Sequence, residues 1–256
     1  MPPSLSIIIP VLNEEEEIGR ILTAARDIVT ERGTGSEVIV VDNASTDRTR
    51  ERAEPFVDGD RVRLLRNEVN RGKGYSIRRG MLEATGDLRL MCDADCAASL
   101  PSLPHLEEAT EEVHVAVGSR SRGEAHVARQ QPIRRRIVGA GFLAYTRLAI
   151  GKLPSDVYCG FKLWRSEAAE AVFGRAVLDG WAFDAEALAM AKALGYSLRE
   201  VGIEWSNRPD SRLSIRSVLL PVTRELLVAR RNIHRAVGAT TVAGAEPSLV
   251  SPAETG

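Results

Sequence analysis

The chain has 256 residues, 44% of them hydrophobic and 27% charged, an ordinary globular composition and a length that buries a core without disulfides or structural metal. Thirty-four Lys and Arg against 35 Asp and Glu give a net charge of −1, which disfavours both a basic nucleic-acid binder and an acidic disordered chain. Three cysteines, Cys92, Cys96 and Cys159, exclude a disulfide-built scaffold and fit a reduced, cytoplasmic setting.

In chain order, Leu5–Ile9 reads as a buried strand, and Pro10 cuts the first apolar run, so no secretory signal pattern forms. Glu14–Arg32 reads as a helix with Ile18, Ile21, Leu22, Ala25 and Ile28 on one face. Glu14–Glu17 suits its first turn, where the helix dipole favours acids. Glu37–Val41 is a second strand ending at Asp42, and Ser45-Thr46-Asp47 offers a cap for a helix toward Phe56. Arg61–Leu65 is a third strand, Gly74–Ala84 a helix, and Leu88–Cys92 a fourth strand ending at Asp93. Pro101–Val113 is helical and Val115–Val117 a fifth strand.

Beyond Arg120 the pattern loosens, and 119–131 reads as a polar loop. Ile133–Ile150 is a helix, Val157–Trp164 a strand, Phe183–Leu194 a helix and Ser197–Trp205 a strand. Pro221 suits the first turn of a last helix running to about His234. The organisation expected is a body over 1–212, a basic amphipathic helix over 213–237 and a disordered tail over 238–256. The longest apolar stretch, Ile137–Tyr145, is far short of the ~20 residues that span a bilayer.

Strands alternating with helices predict a mostly parallel sheet covered on both faces, with ligands beyond the carboxyl ends of the strands. Those ends carry Pro10–Glu14, Asp42–Asp47 and Asp93–Asp95. Asp93-Ala94-Asp95 after an apolar strand suits one hard divalent cation, Mg²⁺ or Mn²⁺, which prefers oxygen ligands and keeps phosphate oxygens in its shell. Two solvated turn aspartates are the plainer reading of that triplet. Asp42 is equally a helix-capping turn residue or a carboxylate for a base or ribose. Asn13-Glu14 carries the same ambiguity.

Asn70-Arg71-Gly72-Lys73-Gly74 is a glycine-flanked basic loop opening a helix, suited to phosphate. Walker A and dinucleotide fingerprints are both absent. Arg120, Arg122, Arg129, Arg134, Arg135 and Arg136 cluster around a single acid, Glu124. They form either a solvated face or an anion clamp, since arginine forks match phosphate geometry. The last helix sets Arg224, Arg230, Arg231 and Arg235 against Glu225, with Val222, Leu226, Ile233 and Val237 on one side. Such a helix either packs on the body or lies on an anionic membrane. Four scattered histidines form no Ser-His-Asp or Cys-His pattern.

In this order, these motifs resemble family 2 glycosyltransferases, closest to the polyprenyl-phosphate sugar transferases that include dolichyl-phosphate mannosyl- and glucosyltransferases. The resemblance runs from Ser6–Pro10 with Asn13-Glu14, through Val41-Asp42, Asn70–Gly74, Asp93–Asp95 and Gly118–Arg120, to Asp156–Lys162, Trp181–Glu186, Trp205 and Ser211-Arg212. It implies the GT-A fold, an α/β architecture with a Rossmann-like, mostly parallel central sheet and helices on both faces. Cys159–Leu163 and Trp181–Asp184 look like the glucosyl pattern, so a UDP-hexose, UDP-glucose first, is implied over a GDP-hexose.

Carried over residue by residue, the resemblance places the nucleotide at Pro10, Asn13, Glu14, Asp42, Lys73, Asp93 and Ala94. Mg²⁺ or Mn²⁺ goes to Asp93 and Asp95. An acceptor phosphate goes to Arg120, Arg134, Arg135 and Arg212, and Asp156 and Asp184 line the acceptor side. The implied catalytic set is Asp184, Asp156, Arg120 and Arg135. The expected reaction is an inverting transfer to a polyprenyl phosphate, with a small hydroxyl acceptor or a non-catalytic nucleotide-sugar binder as alternatives. A hydroxyl needs a carboxylate base, Asp184 first and Asp156 second. The expected site of action is cytoplasmic, with a peripheral contact on the inner face of the membrane and no nucleic acid. Two positions depart from the pattern: the third polar metal contact is replaced by Ala97, and the membrane helices of many relatives are missing.

Overall fold

The structure, a computed structural model, describes residues 3–120, 133–205 and 215–243, with the backbone alone at 133–140, 215–221 and 238–243. The elements are β1 (Leu5–Val11), α1 (Ile18–Arg32), β2 (Glu37–Asp42), α2 (Thr49–Ala53), β3 (Val62–Arg66), α3 (Lys73–Glu83), β4 (Leu88–Cys92), α4 (Leu103–Glu112), β5 (Val115–Ser119), α5 (Ile133–Ile150), β6 (Phe161–Arg165), α6 (Ser166–Phe173), α7 (Phe183–Ala193), β7 (Leu198–Gly202) and α8 (Ile215–Ala243). The strands form one seven-stranded sheet, ordered β3-β2-β1-β4-β6-β5-β7. It is parallel except at β6, which runs antiparallel to both β4 and β5.

The β-branched runs of β1 and β2 are buried on both faces, as strands of a parallel sheet must be when helices cover both sides. Side chains alternate between two cores. Ile8, Ile39, Val41, Met91, Val117 and Trp164 face the side where Ile77, Phe173, Leu188 and Leu226 pack, from α3, α6, α7 and α8. Ile7, Ile9, Val38, Val40, Leu90 and Leu163 face Ile21, Leu22 and Leu106 of α1 and α4. Glu37, buried at the start of β2, accepts hydrogen bonds from Ser6, Thr85 and Arg63. Burial raises its pKa, and these donors outweigh that and hold the carboxyl below its ordinary range.

Several boundaries depart from the expected ones. Glu14–Glu17 precede α1 as a turn, in which the Glu14 carbonyl accepts the N–H groups of Glu17 and Ile18, both at 3.0 Å. Val29 joins the buried face of α1, and Ile28 packs against the same core while only partly buried. The expected strand over 157–164 starts only at Phe161, and the unexpected α6 follows β6 with no intervening residue. The last helix begins at Ile215, so Pro221 lies beyond its first turn, and it runs to Ala243, past the expected end at 237. Val222, Leu226 and Ala229 of α8 belong to the same core as α7, so no packing break separates that helix from the rest. Val237 is exposed instead of packed. Residues 244–256, the remainder of the expected tail, lie outside the described residues.

Candidate active site

Strands β1, β2, β4 and β5 all end on one edge of the sheet, and α3, following β3, starts there too. That edge therefore gathers Asn13, Glu14, Asp42, Lys73, Asp93, Asp95 and Arg120. The loop before β6 brings Asp156 and Gly160, because the antiparallel β6 starts where β4 stops, with Cys92 opposite Phe161.

Asp42 is 1% exposed. Its Oδ1 accepts the Ser45 N–H at 2.9 Å, whereas Oδ2 has no hydrogen-bond partner among the described residues. The Arg66 guanidinium is 3.9 Å away. A buried, unsatisfied carboxylate oxygen is costly unless a ligand completes it. Asn13 has a left-handed backbone, φ 57°. Its side-chain oxygen accepts the Thr46 N–H at 2.8 Å and its own N–H donates to Ser45 Oγ at 3.0 Å, so it ties the first acidic loop to the second. Thr49 Oγ1 accepts the Glu14 N–H at 2.7 Å.

The Lys73 loop is held by bonds among Asn43, Asn67 and Asn70 that the sequence did not reveal. Asn43 Nδ2 donates to Asn70 at 2.8 Å, and Asn43 Oδ1 accepts from Asn67 Nδ2 and the Arg71 N–H, both at 3.0 Å. Gly72 has φ 100°, and a Cβ there would overlap the Asp179 carbonyl. That carbonyl also accepts the Gly74 N–H at 2.8 Å. Glycine is required because a second loop lies directly against this one.

Lys73 Nζ donates to Asp93 Oδ2 at 2.6 Å. Burial opposes the lysine's charge, but the carboxylates of Asp93 and Asp184 outweigh it and push its pKa up. Asp93 Oδ1 is buried without a partner among the described residues. Asp93, Asp95 and Cys96 each offer an atom within 4.8 Å of the others. An orphaned carboxylate oxygen beside a second carboxylate fits a hard divalent cation. The Cys96 thiol does not: its bond with Cys92 and its burial keep it protonated. Ala94 between the two acids is buried, and Ala97 brings no polar atom.

Arg120 and Asp156 are joined as a fork. Arg120 donates from Nε (2.9 Å) and its backbone N–H (2.9 Å) to Oδ2, and from Nη2 (2.6 Å) to Oδ1. Burial raises the Asp156 pKa, but Arg120 outweighs it and holds the carboxyl low. The Arg120 guanidinium also lies 5.1 Å from the centre of the Trp205 ring. Glu200 accepts from Ser155 and from the Asp156 N–H, fixing the carboxylate from behind.

Asp184, in the first turn of α7, is 5% exposed. It pairs with the buried Lys162 of β6, which sequence reasoning had quoted in a motif without a role. Arg134 and Arg135 lie in the first turn of α5, where the backbone alone is described. Arg122, Arg129 and Arg212 lie outside the described residues.

The model of the family described as Glycosyl transferase family 2 matches residues 6–173. The dolichyl-phosphate beta-glucosyltransferase of Mus musculus is 32% identical over 241 residues, covering 88% of this chain and 74% of that protein. The Homo sapiens protein of the same name is 31% identical over 241 residues, with the same coverage. Among solved structures, glucosyl-3-phosphoglycerate synthase from Mycobacterium tuberculosis, in complex with Mn²⁺, UDP-glucose and phosphoglyceric acid, matches with a TM-score of 0.65 at 19% identity. That match covers 91% of this chain and 80% of that one, and it is a likeness of fold of the GT-A type. The family match covers the strands and loops that gather Asp42, Lys73, Asp93 and Arg120 on one edge, and the chain belongs to glycosyl transferase family 2.

Proposed function

We propose that this glycosyltransferase moves glucose from UDP-glucose to a polyprenyl phosphate, with inversion at the anomeric carbon. The observation that carries the reading is Asp93, with Oδ2 on Lys73 and a buried Oδ1 that has no partner among the described residues, in a chain whose relatives are named dolichyl-phosphate beta-glucosyltransferases.

In this reading Asp42 Oδ2 accepts from the ribose or base, with Pro10, Asn13 and Glu14 shaping the nucleoside pocket. Asp93 and Asp95 hold Mg²⁺ or Mn²⁺, which supplies positive charge to the departing diphosphate. Lys73 adds a second positive charge beside it. A phosphate monoester has a second pKa of about 6, so the acceptor is largely dianionic at neutral pH and attacks without a base. Two anionic reactants must instead be brought together, which is the task of Arg120, Arg134, Arg135 and Arg212. Asp156 supports this division of labour, because Arg120 occupies both its oxygens and makes it a poor base.

No helix among the described residues is long and apolar enough to cross a membrane. In this reading a lipid acceptor is met at the membrane surface, and the basic outer face of α8 suits that contact.

The test is turnover with a panel of nucleotide sugars, Mn²⁺, and either a short polyprenyl phosphate or soluble alcohols. Glucolipid and UDP from UDP-glucose and the polyprenyl phosphate are expected. Product from a soluble alcohol alone overturns the acceptor, and no metal-dependent UDP binding overturns the donor.

A further inference from the structure

Lys162 is an unusual residue for its place. It is the second residue of β6, opposite Met91 of β4 and Val117 of β5, and it is 1% exposed. Lysines are almost never fully buried unless paired. Here Nζ donates to Asp184 Oδ1 and to the Cys159 carbonyl. Replacing such a buried pair by hydrophobic residues of similar volume is often neutral or stabilising, so stability alone does not account for the pair.

Its surroundings do. Asp184 sits in the first turn of α7, next to Phe183, and Gly74 of the Lys73 loop packs directly on Phe183. The Lys73 ammonium lies 5.8 Å from the centre of the ring of Phe183, the residue adjoining Asp184; burial pushes the Asp184 pKa up, and Lys162 and Lys73 pull against it. Lys73 in turn holds Asp93 at 2.6 Å. Four buried or half-buried charges thus alternate in sign from the centre of the sheet to its edge: Lys162, Asp184, Lys73, Asp93.

We infer that Lys162 is a positioning residue for the donor site: it fixes the Asp184 carboxylate beside Lys73, and so sets where Lys73 holds Asp93. The inference rests on the donor reading above. Asp184 then acts as a fixed counter-charge and not as a base, in keeping with an acceptor that arrives already ionised. Removing one member of the pair strands a buried charge, so single variants lose stability for that reason alone. Removing both separates stability from positioning.

The experiment compares wild type, K162M, D184N, K162M/D184N and K162R by thermal melting, by calorimetric titration of UDP with Mn²⁺, and by steady-state turnover. Expected are low melting temperatures for K162M and D184N and a near wild-type melt for the double variant. The double variant should bind UDP with Mn²⁺ about tenfold more weakly and lose kcat with little change in acceptor KM. K162R, which keeps the charge, should recover part of the affinity. A double variant that melts and binds like wild type overturns the inference. If the double variant does not melt cooperatively, K162Q/D184N, which keeps hydrogen-bonding groups at both positions without either charge, decides it in the same way: wild-type UDP affinity overturns it. Failure of wild type itself to bind UDP with Mn²⁺ would instead remove the donor reading.

Discussion

Gly160 and Asp93 pack so closely that a Cβ on the glycine would overlap the aspartate's carboxylate, while the Gly160 carbonyl accepts the Asp93 N–H at 3.0 Å. Backbone and side chain of Asp93 are thus both set by the residue that precedes β6. In G160A the carboxylate must move off Lys73 or the strand must shift, and overpacking of this kind costs about 1–3 kcal/mol. The expected outcome is a lower melting temperature together with at least a tenfold loss of Mn²⁺-dependent UDP affinity, both read on the same preparation. Wild-type affinity would show that Asp93 has room to adjust.

Asp42 makes the opposite trade. Its Oδ1 serves the Ser45 turn, and its buried Oδ2 has no hydrogen-bond partner among the described residues, with the Arg66 guanidinium 3.9 Å away. D42N keeps an acceptor for Ser45 and removes a costly buried charge. Its melting temperature should equal or exceed that of wild type, while UDP binding weakens about tenfold; stability given up for a ligand is the usual pattern at a binding site. A calorimetric titration that shows unchanged affinity would return Asp42 to the role of a turn residue.

These two residues also show what was readable beforehand. Asp42 and Asp93 each follow a short strand-like run, interrupted before Asp93 only by Arg89, so strand period and ligand placement pointed to them together. Lys162 offered no such signal: a lysine inside an apolar strand reads as an edge or solvent-facing position, and its partner lies 22 residues on, beyond α6. The antiparallel direction of β6 was hidden for the same reason, since register depends on non-local pairing. Asn70 was legible only as a member of the basic loop, and Asn43 and Asn67 stand in loops where asparagine is common. Only the fold shows that they bond to one another. Glu14–Glu17 looked like a helix start by charge, but Asn13 with its positive φ turns the chain before α1 begins.

Asp156 and Glu37 contribute to the acid side of the stability profile. Both are held below their ordinary values of 3.8 and 4.5, against burial, by Arg120 and by Thr85 with Arg63 and Ser6. A carboxyl with a lowered folded-state pKa stabilises fully above its unfolded value and loses that stabilisation as pH falls through the folded value. Their contribution to the melting temperature should therefore be flat from pH 8 down to about pH 5 and decline below about pH 4. D156N should melt lower than wild type at neutral pH, and the gap should narrow at low pH. A constant gap across that range would mean that the Arg120 fork contributes nothing through its charge.

The outer face of α8 presents Arg224, Arg230, Arg231 and Arg235 to solvent with Leu227 and Val228, while Val222, Leu226 and Ala229 pack inward. Its acid, Glu225, is turned to the protein, where it accepts the Ala182 N–H at 2.9 Å. The exposed face thus combines cations with a few apolar side chains and no carboxylate among the described residues of the helix. Near an anionic bilayer each such arginine adds about 1 kcal/mol, so the full chain should co-sediment with vesicles containing phosphatidylserine and not with neutral ones. Binding should fall steeply as salt rises past about 0.15 M, where screening lengths shrink to about 8 Å. The triple variant R230E/R231E/R235E changes only exposed positions, so its melting temperature and UDP affinity should stay near wild type while vesicle binding is lost. Turnover with a polyprenyl phosphate in vesicles should drop with it, and turnover with a short, detergent-dispersed acceptor should not. Equal loss in both formats would place these arginines in the acceptor site and not on a membrane face.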